Sequence, residues 1–225
     1  MKLITLGCSL TQICGIPQSL SHALNLECKE LSESAGSNLL QSRRLMDSVA
    51  QASVSRDDMV IWQITGDARP YERLPDERLT EAEELAQQMQ SGHYHHVLSD
   101  PNMFSARPRV DLLSNSELLS HTHSVADDLQ SVVATMILAN SYFRHMWVYL
   151  GWSHAVQPRY RTTFRDCLAR HQIEFIDAPF LDWAVQNHKA MGVDNAHPHP
   201  ATGKEFAETV ILPSILQALD GSVSL

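Results

Sequence analysis

The sequence predicts an α/β domain built on a parallel sheet. Short apolar runs of strand length alternate with stretches of helical periodicity from residue 2 to about residue 219. The chain has 225 residues and is 44% hydrophobic, which suits one large domain with a sizeable core. No internal repeat or low-complexity tract interrupts the alternation.

Lys2–Leu6 reads as the first strand, because it is apolar, short and closed by Gly7. Gln18–Leu24 after Pro17 reads as a short helix, and Leu26–Leu31 as a second strand. Asn38–Ser53 follows as a helix with Ser37 as its cap. Asp58–Thr65 carries the apolar third strand, ended by Gly66-Asp67. Residues 68–113 differ: they are rich in charge, Gln and His, and contain Pro70, Pro75, Pro101 and Pro108. This stretch is predicted to be an irregular insertion in a single domain spanning 1–225, with an exposed helix at Thr80–Gln90.

Val125, Leu129, Val132, Val133, Met136, Ile137 and Phe143 fall near helical spacing behind a Ser124 cap. Met146–Gly151 is the fourth strand, Arg159–His171 a helix, and Ile173–Asp177 the fifth strand. Thr202-Gly-Lys-Glu205 matches a capping box, which predicts a last helix to Leu219, kinked or broken at Pro213.

The formal net charge of −9 argues against a nucleic-acid backbone as the main partner. No stretch approaches the roughly 18 apolar residues of a membrane span, and no signal peptide is visible. The expectation is a cytoplasmic protein whose four cysteines are reduced. His93, His95, His96, His121 and His123 lack a carboxylate or cysteine at ligand spacing, so no metal and no other cofactor is expected.

Ser9 follows Gly7 and Cys8 at the predicted carboxyl end of the first strand, where open α/β sheets place their chemistry. A serine nucleophile needs a base, a group to orient that base, and donors for the oxyanion. Asp194 stands three residues before His197, close enough to curl back and accept from Nδ1 while Nε2 faces a serine. His199 competes for the role; it lies five residues from Asp194, so His197 is preferred. Cys8 should face the core, since successive side chains leaving a strand point opposite ways.

These residues resemble the SGNH (GDSL-type) hydrolases. Gly7-Cys8-Ser9-Leu10 stands at the family's first block, Ala35-Gly36-Ser37-Asn38 at the second, and Asp194-x-x-His197 at the fifth. The resemblance implies a flavodoxin-like three-layer α/β/α sandwich with a five-stranded parallel sheet. It further implies an ester or thioester hydrolase without cofactor, acting on acylated sugars, lipids or related small esters. Ser9 would be the nucleophile, His197 the base and Asp194 its orienter. The N–H groups of Ser9 and Gly36 would donate to the oxyanion.

Two positions depart from the pattern. Cys8 replaces the first-block aspartate, and Thr65-Gly66-Asp67-Ala68 lacks the third-block asparagine. Asn38 is the expected substitute donor. Thr65 and Gly66 are candidates to line the site, and Asp67 either lines it or caps the turn. Acyl transfer to an alcohol, or a binding module that keeps the fold, are the alternative readings. Oligomeric state is not readable from these residues.

Overall fold

The structure, a computed structural model, describes residues 1–32, 38–65, 125–153, 155–156, 158–192 and 197–221. In chain order the elements are β1 (Lys2–Leu6), α1 (Ser9–Gln12), α2 (Ile16–Leu24), β2 (Glu27–Glu30), α3 (Asn38–Ala50) and β3 (Met59–Ile64). They continue with α4 (Val125–Tyr142), β4 (His145–Leu150), α5 (Pro158–Arg170), β5 (Glu174–Ile176), α6 (Phe180–Gln186) and α7 (Pro200–Phe206). A π-helical turn (Ala207–Ile211) leads into α8 (Leu212–Gly221). The insertion at 68–113 and its helix at Thr80–Gln90 lie outside the described residues, as do the caps Ser37 and Ser124.

All strand pairs are parallel, in the order β2-β1-β3-β4-β5. Side chains alternate between the two sheet faces, as the strand period of two requires. Ile4, Leu6, Val60, Trp62, Ile64 and Val148 pack on one face against Leu45 of α3, Val132 and Met136 of α4, and Phe164 and Leu168 of α5. Leu3, Met59, Ile61, Trp147 and Tyr149 pack on the other. There they meet Leu10 of α1, Ile16 and Leu20 of α2, Phe180 of α6, and Phe206, Ile211 and Ile215 near the C-terminus. The result is a three-layer α/β/α sandwich. Burial on both faces explains why β3 is buried at every position.

The chain leaves β1 for β2 on one side and then crosses to β3 on the other. The carboxyl ends of β1 and β3 therefore flank a topological switch point, the place where such sheets open a crevice for ligands.

Two predicted features are corrected. Thr202 and Glu205 form no capping box. The helix starts at Pro200, whose ring presets the first helical φ, and the His199 imidazole accepts from Ala201 N at 3.2 Å instead. Thr202 Oγ1 donates to Ala190 O at 2.9 Å, and Glu205 pairs with Lys189 Nζ at 2.6 Å. Pro213 does not break the final helix. The turn before it widens to π geometry, with Leu212 N donating to Ala207 O five residues back. The wider turn accommodates a ring that would otherwise meet the Thr209 carbonyl and that offers no N–H.

Candidate active site

Cys8 is extended (φ −103°, ψ −159°) and Ser9 begins α1, so the chain turns sharply from strand to helix at the nucleophile candidate. Gly7 permits that turn by close approach: a Cβ there would run into the Thr11 side chain and sit 3.1 Å from Gln63 Cβ. As the first helical residue, Ser9 has an N–H without an intrahelical partner.

Beneath the turn lies a buried polar group of atoms. Gln63 Oε1 accepts from Cys8 N at 3.2 Å and from Cys8 Sγ at 3.2 Å. Thr11 Oγ1 and Tyr149 Oη are 3.1 Å apart. Burial pushes the Tyr149 phenol above its ordinary range, so it stays neutral and keeps its proton for hydrogen bonding. Cys8 is fully buried and faces the core. Sequence reasoning missed Gln63. Its signal was a lone amide within a strand of otherwise apolar residues, since a buried amide is costly unless it holds something.

His197 arrives from the other end of the chain. Residues 190–192 and 197–199 run against each other: His199 N donates to Ala190 O at 2.9 Å, Gly192 N donates to His197 O at 2.6 Å, and Met191 bridges Pro198. Cys14 Sγ donates to Pro198 O at 3.2 Å. Gly203 lies against Cys14 so closely that a Cβ would collide with its carbonyl, which clamps the start of α7 to the α1–α2 corner. This frame sets His197 Nε2 at 2.7 Å from Ser9 Oγ, across 188 residues of sequence. Both residues are buried, at 6% and 5% exposure. With the proton on Nδ1, Nε2 accepts the serine hydroxyl proton. His199 points elsewhere, its Nδ1 engaged as the α7 cap.

Asn38 opens α3 and reaches the end of β3. Its Nδ2 donates to Thr65 O at 2.9 Å, while its Oδ1 accepts from Thr65 N at 2.8 Å and Thr65 Oγ1 at 3.1 Å. The amide has two N–H groups, and the bond to Thr65 O uses one of them. Thr65 is fully buried. Asp194, Gly36, Gly66 and Asp67 lie outside the described residues. Among the described residues, no group of three or more His, Cys, Asp or Glu side chains could hold a metal ion. The histidines at 93–96 and 121–123 lie outside them. Among the described residues no helix is long and apolar enough to cross a membrane.

No protein-family profile and no curated protein matches the chain. Solved structures do. A member of the lipolytic protein G-D-S-L family from Veillonella parvula superposes with a TM-score of 0.53 at 13% identity, covering 92% of this chain and 94% of that one. LAE5, an alpha/beta hydrolase enzyme from the metagenome of Lake Arreo, gives 0.52 at 12% identity, with 95% and 94% covered. TesA gives 0.52 at 13% identity, with 96% and 98% covered. At these identities the similarity is one of fold, and it extends over nearly the whole of each chain. The chain has the fold of the SGNH (GDSL-type) hydrolases.

Proposed function

We propose that this protein is a serine hydrolase that cleaves carboxylic esters through an acyl-enzyme. The observation that carries the reading is the 2.7 Å approach of Ser9 Oγ to His197 Nε2 at the switch point of the sheet. Hydrolases among the structures of the same fold support it. His197 takes the Ser9 proton as Oγ attacks the acyl carbonyl, then returns it to the leaving alcohol oxygen. Water, deprotonated by the same imidazole, releases the acid. Asp194 orients the imidazole and stabilises its protonated form. The N–H groups of Ser9 and Gly36 and the second Nδ2 hydrogen of Asn38 stabilise the tetrahedral oxyanion. Thr65, Gly66 and Asp67 line the site.

The substrate class is a small ester, of an acylated sugar or a lipid, and no cofactor takes part. Thiol cysteines such as Cys8, Cys28 and Cys167 suit a reducing compartment, and we place the protein in the cytoplasm. The test is hydrolysis of short 4-nitrophenyl esters by the full chain, with Ser9→Ala as control. Turnover lost in the variant supports the reading; equal turnover in both proteins sinks it.

A further inference from the structure

We propose that the cleft between α5 and the carboxyl ends of β4 and β5 is an anion-binding subsite for a carboxylate or phosphate group of the substrate. Its assignment to substrate rests on the hydrolase reading above. The open cleft has a volume of about 240 Å³ and is lined, among the described residues, by Ser153, Pro158, Arg161, Thr162, Arg165 and Asp177. Arg161 and Arg165 stand four residues apart on α5 and so share one helix face. Like charges at this spacing repel, and the Asp177 carboxylate between them relieves that repulsion in part.

Asp177 answers only part of that charge. It lies 2.6 Å from Arg161 Nη2, but its other oxygen is 3.8 Å from Arg165 Nη1, beyond hydrogen-bond distance. Among the described lining residues one carboxylate meets two guanidiniums, in a chain whose net charge is −9; Asp182, whose Oδ2 accepts from Ser153 N at 2.7 Å, stands at the edge. The Arg165 side chain is 56% exposed, so its planar fork is accessible to an incoming oxyanion. The hydroxyl-bearing Ser153 and Thr162 complete a lining suited to oxygen ligands.

The cleft sits at the same edge of the sheet as Ser9. Gly151 N donates to Ile64 O at 2.9 Å, and a Cβ on Gly151 would lie 3.5 Å from Cδ1 of Leu10, the neighbour of Ser9. Ser153 is two residues further along. Three strand spacings separate β1 from β5, about 14 Å in all. The anionic group of the substrate is therefore expected about 10–15 Å from the scissile carbonyl.

The test pairs binding with selectivity. Inorganic phosphate and acetate are titrated separately into the full chain while the arginine side-chain N–H resonances are followed by NMR. Saturable shifts are expected, weakened about tenfold or more in Arg165→Gln. The tighter of the two ions identifies the group. In parallel, kcat/KM is measured for 4-nitrophenyl hydrogen sebacate, whose far end is a carboxylate, and for neutral 4-nitrophenyl decanoate of the same length. Arg165→Gln should cut the ratio of the two about tenfold, through KM, with decanoate turnover unchanged.

Absence of saturable shifts, or shifts unchanged in the variant, overturns the subsite. Arg165-dependent shifts with an unchanged ratio overturn its assignment to substrate. If neither ester is cleaved while the shifts depend on Arg165, the hydrolase reading fails and the anion site stands.

Discussion

Asn38 is where stability and proposed catalysis meet, so its replacement separates the two contributions. In Asn38→Ala, the fully buried Thr65 loses two hydrogen bonds to Asn38, one at its N–H and one at its C=O. Losing a hydrogen bond at a buried backbone group costs about 1–3 kcal/mol, so the two together are worth about 2–4 kcal/mol after partial relaxation. For a chain of this size that lowers Tm by roughly 5–15 °C. If the second Nδ2 hydrogen stabilises the oxyanion, kcat falls about 100- to 1000-fold with KM little changed. Asn38→Asp sharpens the test, because it keeps the acceptor for Thr65 N but loses the donor. It also places negative charge beside a developing oxyanion, so its rate should fall further than that of the alanine variant. The assays are thermal unfolding and steady-state hydrolysis of a 4-nitrophenyl ester at 25 °C. Turnover within threefold of the parent, about 0.7 kcal/mol, in folded Asn38→Ala refutes the donor role. An unchanged Tm refutes the Thr65 clamp.

Three further expectations use the same assays. His197→Ala should lose about 100- to 10,000-fold in rate, whereas His199→Ala should keep its rate and lose about 1 kcal/mol, or 2–4 °C in Tm, with the α7 cap. Gly203→Ala forces a Cβ onto the Cys14 backbone. It should cost about 1–3 kcal/mol and weaken activity by displacing the frame that holds His197 near Ser9, which thermal melts and rates on the same samples check. Burial raises the Glu30 pKa above its ordinary value, against a smaller opposing hydrogen bond from Gln18. The folded state therefore holds this proton more tightly than the unfolded state, and stability falls as pH rises through that range. Glu30→Gln should raise Tm at pH 7, and the gain should disappear below about pH 4, where the carboxyl is protonated in both states.

The strands were legible because burial on both faces leaves near-continuous apolar runs, as at Met59–Ile64. The turn at Ser9 was legible for a local reason: Gly7 ends β1, and Ser9 follows at the sheet edge. The pairing of Ser9 with His197 was legible from the Asp194-x-x-His197 spacing after the last strand, and the resemblance of two blocks at opposite ends of the chain added to it. What stayed hidden was tertiary. The four residues of α1 are too few for a period, and α6 follows Pro179 with only seven. The capping-box pattern at Thr202 lost to a cap built from His199 and Pro200, since both hydroxyl and carboxylate had partners around Ala190 and Lys189. Asn38 looked like a helix opener, and nothing near it in sequence announced the bonds to Thr65. Gln63 was readable in principle, as a polar residue that β3 had to justify.

The central claim is that Ser9 is a nucleophile activated by His197. Its most direct test is labelling of the full chain with a fluorophosphonate probe, with the modified residue mapped by mass spectrometry. A single adduct on Ser9, absent from His197→Ala, is the predicted result. No adduct on Ser9, or one that forms equally fast without His197, would contradict the claim.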